Sequence, residues 1–227
     1  HTGKISNLVK SKKRYSEELD RIKKCSFLAR LGSGSAARSV EGPLVLWGEH
    51  AATPVSSDLF GVRWTKAADV FTTYRDTILL VDKGQKEVSS TVGHDLMHNH
   101  PFAETRFAQA KANYQTLLTI LEKGDMDGFS HLVEREALSL HAMMLTSSPS
   151  YILMHPNTIQ IIKQVRTFRK TSGLHLTFTL DAGANVHLLY PAHEAEKIDQ
   201  FIASDLRKYC QDNELIYDRV GTGLKKV

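Results

Sequence analysis

SGLHLTFTLDAGANVHLLYP, residues 172–191, is the stretch that decides the fold. Apolar residues occupy every second position from Leu174 to Leu180, and the positions between them are polar. This period of two is typical of a β-strand with one buried face. DAGAN at 181–185 predicts a tight turn, because glycine and asparagine favour turn conformations, and VHLLYP predicts a return strand. The stretch therefore predicts a β-hairpin.

The rest of the sequence mixes helical and strand patterns. Apolar residues at helical spacing predict helices over 16–31, 105–121, 129–144 and 193–210, and one more opened by Asn157 or Thr158. Two apolar runs, 43–48 and 76–82, predict further strands, and the tail after Asn213 shows no strong period. Because helices and strands do not alternate as in βαβ units, the pattern favours an α+β fold. We expect a soft boundary that divides residues 1–98 from 99–227.

The composition is that of an ordinary globular protein, with 41% hydrophobic and 24% charged residues among 227. A net charge of +4 without dense Lys/Arg patterning predicts no nucleic-acid partner. No apolar run reaches the ~18 residues that a membrane span needs, so we expect no membrane association. Two distant cysteines, Cys25 and Cys210, fit no disulfide scaffold, which predicts a reducing, cytoplasmic location.

A glycine- and serine-rich stretch, LGSGSAARSV at 31–40, lies between two apolar runs. It offers backbone N–H groups and hydroxyls, and a following helix would add the positive end of its dipole. The guanidinium of Arg38 suits a carboxylate or a phosphate. The sequence is not a Walker A loop, because no GK[ST] follows the glycines. The stretch is either an anion-binding cradle or a plain connection from helix to strand.

Other polar residues leave similar alternatives. Ser90 and Thr91 belong to a hydroxyl cluster that suits either a phosphate site or a polar turn. Asp181 ends a predicted strand, where an aspartate is either a turn residue or a catalytic carboxylate. Glu134 and Glu136 fall on different helix faces and are predicted to be solvent-exposed. Three histidines fit no metal-binding pattern, so we expect no protein metal site. These are His94, His98 and His100.

Three motifs stand in one order along the chain: ARLGSGSAARSVEG at 29–42, KEVSSTVG at 86–93 and FTLDAGANVHLLY at 178–190. Together they resemble the diphosphomevalonate decarboxylases of the GHMP kinase superfamily, over about residues 25–190. The resemblance implies a GHMP-kinase-like fold of two domains. Residues 1–98 would be the remainder of an N-terminal domain like domain 2 of ribosomal protein S5, and 99–227 a ferredoxin-like C-terminal domain of helices and a sheet.

The resemblance also implies an activity and a set of site residues. Members use ATP, with Mg²⁺, to phosphorylate the 3-hydroxyl of mevalonate 5-diphosphate, and loss of phosphate and CO₂ then gives isopentenyl diphosphate. Asp181 matches the catalytic aspartate, Arg38 the arginine that holds the substrate carboxylate, and Ser90 a serine near the transferred phosphate of ATP. The positions that match substrate-binding residues are Ser33, Gly34, Ser35, Arg38 and Thr91. The partners implied are mevalonate diphosphate and ATP, and a second copy in a homodimer.

The chain departs from the family pattern in several places. An N-terminal segment with a lysine and a tyrosine, and a Gly/Ser-rich loop for the ATP phosphates, have no match, so we expect the chain to correspond to the C-terminal portion of such an enzyme. Ala37 stands where many members have cysteine, His94 where methionine is common and Ala184 where proline is common. Two alternatives therefore stay open. One is a GHMP kinase that phosphorylates another mevalonate phosphate without decarboxylation, and the other is a non-enzymatic phosphate-binding domain.

Overall fold

The computed structural model describes residues 2–84, 97 and 99–224, with side chains described from residue 17 onward. The chain divides into two compact units, the first made of His1–Lys66 and Val220–Val227 and the second of Ala67–Arg219. This division differs from the predicted boundary between residues 98 and 99. The reason is that a strand ending at Leu79 forms part of the sheet of the second unit.

The first unit begins with a long helix. Its elements are α1 (Thr2–Gly32), a 3-10 helix (Gly34–Ser39), and the short antiparallel strands β1 (Val45–Leu46) and β2 (Val62–Arg63). The strand predicted over 43–48 is therefore present but reduced to two residues. In the described part of α1, Ser26 is buried whereas Leu28 and Leu31 are exposed. The predicted apolar face of this helix is thus only partly used within the unit.

The C-terminal residues return to the first unit through a close backbone contact. Glu41 and Gly223 form an antiparallel bridge, and the next N–H, of Leu224, donates to the Val40 carbonyl at 3.1 Å. A Cβ atom on Gly42 would lie 2.6 Å from the Gly223 nitrogen. Gly223 itself has φ +82°, a conformation that disfavours a side chain. Glycine is therefore required at this crossing by steric exclusion.

The second unit contains a four-stranded antiparallel sheet with the strand order β4-β5-β3-β6. Its strands are β3 (Arg75–Leu79), β4 (Thr177–Leu180), β5 (Val186–Tyr190) and β6 (Leu215–Arg219). The predicted hairpin is present as β4–β5, in which Phe178 lies opposite Leu188. Strand β3 pairs along its whole length with β5 on one side and β6 on the other. The predicted α+β fold is confirmed.

The described residues of the second unit include four main helices. They are α2 (Ala103–Lys123), α3 (Met126–Leu145), α4 (Pro156–Ser172) and α5 (Ala195–Phe201), which continues as a π-helical turn over Ile202–Leu206. Gly124 ends α2 in the left-handed conformation, with φ +71°. Asp125 then caps α3, because its carboxylate accepts a hydrogen bond from the Gly128 N–H at 2.8 Å. The two helices therefore form a tight helical hairpin.

One apolar core joins the sheet of the second unit to its helices. Phe178 and Leu188 of the hairpin are fully buried, and so is Ile161 of α4. The fully buried residues of α5 and its continuation are Ile198, Ile202 and Leu206. Their spacing of four residues places them on one helical stripe, and each buried side chain of this size contributes about 1.5–3 kcal/mol.

Two details of the predicted helices and strands are corrected. Helix α4 begins at Pro156, with His155 as the N-cap residue, rather than at Asn157 or Thr158, because proline suits the first helical position. The region 193–210 is not one helix: a 3-10 turn over Ala192–Glu194 precedes α5, and the π-helical turn follows it. Within the described residues, no helix is both long and apolar enough to cross a membrane.

The prediction that Glu134 is solvent-exposed is wrong. Glu134 is 4% exposed, and its carboxylate accepts hydrogen bonds from Arg169 Nη1 at 2.5 Å and Arg166 Nε at 3.1 Å. The Thr177 hydroxyl of β4 donates to the same carboxylate at 3.2 Å, so Thr177 is buried although the alternation placed it on a polar face. These contacts join α3, α4 and β4 through one buried charge.

Candidate active site

The turn between β4 and β5 carries Asp181, the predicted catalytic carboxylate. Asp181 directly follows the last residue of β4, and its side chain is exposed. Its carboxylate makes no hydrogen bond or ion pair with the part of the chain that the structure describes. An exposed carboxylate without such partners is free to contact a bound molecule.

The backbone of Asp181 is held much more firmly than its side chain. The Asp181 carbonyl accepts a hydrogen bond from His141 Nε2 of helix α3 at 3.0 Å. It also accepts one from the Gly183 N–H at 2.8 Å, which closes the turn on itself. The start of the turn is therefore tied both internally and to a neighbouring helix.

The other end of the turn has two further ties. The Thr158 hydroxyl of α4 donates to the Ala184 carbonyl at 2.6 Å and accepts from the His155 N–H at 3.2 Å. The Asn185 Oδ1 atom accepts from the Asp82 N–H, just beyond β3, at 2.9 Å. Three separate elements thus fix the backbone from which the Asp181 carboxylate projects.

The imidazole of His141 is buried, with 2% of its surface exposed. Burial lowers the pKa of His141 below its usual value of 6.5, while the bond to the Asp181 carbonyl acts in the opposite direction. The ring is therefore neutral near pH 7. Because a carbonyl oxygen only accepts hydrogen bonds, the proton of the neutral ring lies on Nε2.

Sequence reasoning identified Asp181 but missed two of the residues that hold it. His141 lies inside a helical pattern, where nothing local distinguishes it from a packing residue, and Thr158 was predicted only as a residue that could open a helix. Asn185 belongs to the predicted DAGAN turn, so its position near the site could be anticipated, although its contact with Asp82 could not. Contacts between residues more than 25 positions apart are set by tertiary folding.

The glycine- and serine-rich stretch forms a short 3-10 helix in the first unit. Ser33 precedes it in extended conformation, and the helix spans Gly34–Ser39. Ser33, Ser35 and Arg38 are exposed, as is Gly34. The Arg38 guanidinium has no hydrogen bond or ion pair with the described residues. The structure thus brings the four predicted anion-binding residues of this stretch together in one exposed segment, and Asp181 belongs to the other unit.

A buried serine holds this segment in place. The Ser26 hydroxyl of α1 donates to the Ala37 carbonyl at 2.7 Å and accepts from the Gly61 N–H at 2.8 Å. Ala37 is 1% exposed, so the residue before Arg38 faces inward. A Cβ atom on Gly34 would lie 3.2 Å from the Trp47 ring, so the segment also packs closely against this tryptophan.

The other residues considered in the sequence are two hydroxyl residues and three histidines. Ser90, Thr91, His94 and His98 lie outside the described residues. His100 is buried, and its Nδ1 accepts from the Phe102 N–H at 3.1 Å, which indicates a structural role. Within the described part of the chain, no group of three or more histidine, cysteine, aspartate or glutamate side chains is arranged to hold a metal ion.

A protein-family model matches the region that contains the hairpin and its helices. Residues 77–222, more than half of the chain, match the mevalonate 5-diphosphate decarboxylase C-terminal domain. The chain belongs to this family. The resemblance predicted from the three motifs is confirmed. The matched residues of the decarboxylase domain include β4, β5, β6, most of β3 and the Asp181 turn, whereas the segment with Arg38 precedes them.

Curated decarboxylases are similar to the chain over most of its length. The diphosphomevalonate decarboxylase of Candida albicans is 27% identical over 180 residues, which cover 76% of this chain and 48% of that protein. The phosphomevalonate decarboxylase of Haloferax volcanii is 27% identical over 188 residues, covering 78% and 52%. The chain spans about half the length of the curated relatives it matches.

Solved mevalonate diphosphate decarboxylases have the same fold. The enzyme from Staphylococcus aureus superposes with a TM-score of 0.76 at 24% identity, covering 89% of this chain and 59% of that one. The enzyme from Legionella pneumophila superposes with a TM-score of 0.69 at 27% identity, covering 86% and 57%. These coverages are larger than the share of the chain that the second unit makes up. Residues of both units therefore have counterparts in these enzymes.

Proposed function

We propose that the protein containing this chain catalyses the ATP-dependent decarboxylation of mevalonate 5-diphosphate to isopentenyl diphosphate. Membership of the decarboxylase family and the similarity to diphosphomevalonate decarboxylases support this activity. One solved relative, with a TM-score of 0.76, is in complex with MVAPP, AMPPCP and magnesium. The proposal concerns the whole protein, because the chain covers about half of such enzymes.

The observation that carries the proposal is the setting of Asp181. Its carboxylate is exposed and unpaired within the described residues, and its backbone is tied to α3, α4 and the end of β3. A group that must contact a reacting hydroxyl needs a free side chain on a fixed backbone. A residue needed only for turn geometry would more commonly bond its own carboxylate to nearby backbone N–H groups.

The proposed role of Asp181 is to orient the 3-hydroxyl of the substrate and accept its proton as the phosphoryl group of ATP is transferred to that oxygen. Phosphorylation turns a poor leaving group into a good one. The C3–O bond then breaks with release of phosphate, and the C1–C2 bond breaks with release of CO₂. The electron pair of the C1–C2 bond forms the new double bond between C2 and C3.

The exposed segment of the first unit is proposed to bind the anionic parts of the substrate. Arg38 would pair with the departing carboxylate through its two parallel N–H groups, and Ser33, Gly34 and Ser35 would donate to the diphosphate. The same motifs assign Ser90 to the phosphates of ATP and Thr91 to the substrate diphosphate. These assignments rest on sequence motifs and on the exposure of residues 33–35 and Arg38.

ATP and magnesium are proposed on the strength of the relatives, and magnesium would supply positive charge to the transferred phosphate. The described residues do not include a group of side chains that fits a protein-built metal site. We therefore assign none of them to the ion. A homodimer and a cytoplasmic location also stay predictions, which size-exclusion chromatography with light scattering and cell fractionation would test.

Product analysis tests the proposal. The full-length protein is incubated with ATP, magnesium and mevalonate 5-diphosphate, and the release of ADP, phosphate, CO₂ and isopentenyl diphosphate is followed. Equal yields of the four products are expected. Formation of ADP without CO₂ would show a kinase that stops after phosphorylation, and binding without turnover would show a phosphate-binding domain.

A second candidate substrate is mevalonate 5-phosphate. The similarity to the Haloferax volcanii phosphomevalonate decarboxylase, over 78% of this chain, favours it specifically. The chemistry at C3 is the same for both substrates, and only the contacts to the phosphate end differ. The ratio of kcat/KM for the two substrates decides between them, and a value above one for the diphosphate supports the main proposal.

A further inference from the structure

We infer that His141 is a positioning residue, which sets the place of the Asp181 carboxylate by holding the Asp181 backbone. This inference rests on the proposed function, because it assigns His141 a role through Asp181. His141 lies on α3, 40 residues away in sequence, and its Nε2 atom is 3.0 Å from the Asp181 carbonyl oxygen. Its side chain does not take part in the proposed chemistry itself.

The two ends of the turn are held differently. The end at Ala184 and Asn185 is tied to α4 through Thr158 and to the segment after β3 through Asp82. At the Asp181 end, His141 supplies the one hydrogen bond from another element that the structure describes. Among the described residues, His141 is therefore the side chain whose loss most directly affects the place of the Asp181 carboxylate.

Helix α3 is a rigid support for that side chain. The helix runs beside β4, because Thr177 at the start of the strand contacts Ser130 and Glu134, and Asp181 just past its end contacts His141. The seven residues from Glu134 to His141 span about 10 Å of helix, and the four residues from Thr177 to Asp181 span about 13 Å of strand. Helix α3 therefore contacts the chain at both ends of β4.

Removing the His141 bond would loosen the turn without opening it. The Asp181 carbonyl would keep its bond from the Gly183 N–H, so the carbonyl is not left without a partner. Loss of the His141 bond would therefore change the position of the Asp181 carboxylate more than the free energy of unfolding. A displacement of a reacting group by about 1 Å can cost about 100-fold in rate.

The neutral state of His141 fits this role. Its Nε2 atom faces the Asp181 carbonyl, the side chain is buried, and burial lowers the pKa of the imidazole. An uncharged ring donates one hydrogen bond from Nε2 without placing a positive charge next to the catalytic carboxylate.

A pair of substitutions in the full-length protein separates positioning from packing. His141→Gln keeps an N–H donor at about the place of Nε2, and His141→Met has nearly the same shape as glutamine but no donor. We expect the Met variant to lose about 10–100-fold in kcat for decarboxylation, with KM for mevalonate 5-diphosphate and for ATP within about threefold of the wild type. The Gln variant is expected to recover most of that loss.

Hydrogen exchange supplies a readout that does not depend on activity. In the Met variant, amides of the turn at 181–185 should exchange at least about tenfold faster than in the Gln variant, while those of α4 stay unchanged. If the Met variant does not fold, His141→Asn replaces it, because its amide is polar but too short to reach the Asp181 carbonyl. The same losses are then expected.

Each outcome bears on the inference in a defined way. Equal kcat and equal exchange in the Gln and Met variants would overturn it, whether both are active or both inactive. An inactive Asp181→Asn enzyme with an unaffected Met variant would overturn the role of His141 while leaving the proposed function standing. If the wild type makes no isopentenyl diphosphate, the proposed function fails, and the exchange comparison still decides whether His141 holds the turn.

Discussion

The hydroxyl of Ser26 joins two distant backbone groups in the first unit. It donates to the Ala37 carbonyl at 2.7 Å and accepts from the Gly61 N–H at 2.8 Å, and Ser26 itself is 1% exposed. One buried side chain therefore connects α1, the 3-10 helix that presents Arg38, and the residue before β2. Such a connection stabilises a segment that has little apolar surface of its own.

Ser26→Ala should destabilise the first unit. The substitution leaves a buried carbonyl and a buried N–H without their partner, at a cost of about 1–3 kcal/mol. Urea unfolding of the full-length protein measures the loss in free energy of unfolding. Ser39→Ala is the matched control, because Ser39 is exposed in the same segment, and it should change stability by less than about 0.5 kcal/mol. Equal stability of the two variants would contradict the role of Ser26.

Asp181→Asn should abolish turnover while leaving the fold intact. Loss of the carboxylate removes a proton acceptor, so kcat should fall by about 100- to 10,000-fold, with KM nearly unchanged. Because the Asp181 side chain has no partner among the described residues, the melting temperature should stay within about 2 °C of the wild type. Steady-state kinetics and a thermal melt measure both quantities. A kcat equal to that of the wild type would remove Asp181 from the mechanism.

Arg38→Lys should weaken substrate binding although it conserves the charge. Lysine lacks the planar pair of N–H donors that matches a carboxylate, so a charge-assisted bond worth about 1.5–3 kcal/mol is lost in part. We expect kcat/KM for mevalonate 5-diphosphate to fall by about tenfold or more. Arg63→Lys, an exposed change in the same unit, is the control and should have no effect. Equal kinetics of the two variants would argue that Arg38 lies away from the substrate.

Local sequence pattern was sufficient to predict the β4–β5 hairpin but not β6, the strand at the opposite edge of the sheet. Strands β4 and β5 were predicted because their alternation reflects burial of one face. Strand β6 was missed, because four of its five residues are exposed and only Leu215 is partly buried, so no alternation results. Its five residues are ordered by pairing with β3, from which they are separated by more than 130 positions. Pairing at that distance leaves no periodic signal in the sequence.

The candidate site shows a similar contrast. Residues with a proposed chemical role were predicted from the sequence, whereas the residues that hold them in place were not. Asp181 and Arg38 were predicted because the motifs that contain them resemble those of the diphosphomevalonate decarboxylases. His141 and Ser26 were not, because they act through hydrogen bonds to distant backbone groups, one for His141 and two for Ser26. Glu134 was misjudged for a related reason: helical spacing gives the face of a residue but not whether another helix covers that face.

The buried state of His141 predicts a pH dependence of stability. In the unfolded chain the imidazole titrates at its usual pKa of 6.5, whereas burial lowers the pKa in the folded protein. The unfolded state therefore binds more protons below about pH 6.5, and the folded state loses stability as the pH falls through this range. The contribution is fully present above pH 6.5.

Comparison with His141→Gln, which cannot titrate, isolates this contribution. The free energy of unfolding of the wild type relative to the Gln variant should decrease between pH 7.5 and pH 5.5. A chemical-shift titration of the imidazole should give a pKa below 6.5 in the native protein. A difference in stability that is constant over this range, or that grows on acidification, would contradict the assignment of a neutral buried ring.

Glu134→Gln should be among the most destabilising single changes in the second unit. The carboxylate of Glu134 is bonded to Arg166, Arg169 and Thr177, and its removal leaves a partly buried arginine pair without a counter-charge. Breaking a buried ion pair from one side costs about 3–5 kcal/mol, and we expect the lower end because the Arg166 side chain is 49% exposed.

Glu136→Gln is the matched control, since it makes the same change two residues along α3. The Glu136 carboxylate also accepts from Arg106, at 2.6 Å, but its side chain is 33% exposed compared with 6% for Glu134. Because the Glu136 side chain is partly solvated and glutamine keeps an oxygen acceptor for Arg106 and Asn113, we expect a smaller loss than for Glu134. Urea unfolding of both variants measures the difference. Since Glu134 also braces α3 against β4, its loss should speed hydrogen exchange at the Asp181 turn, whereas loss of Glu136 should not. Equal exchange in the two variants would show that the turn does not depend on this brace.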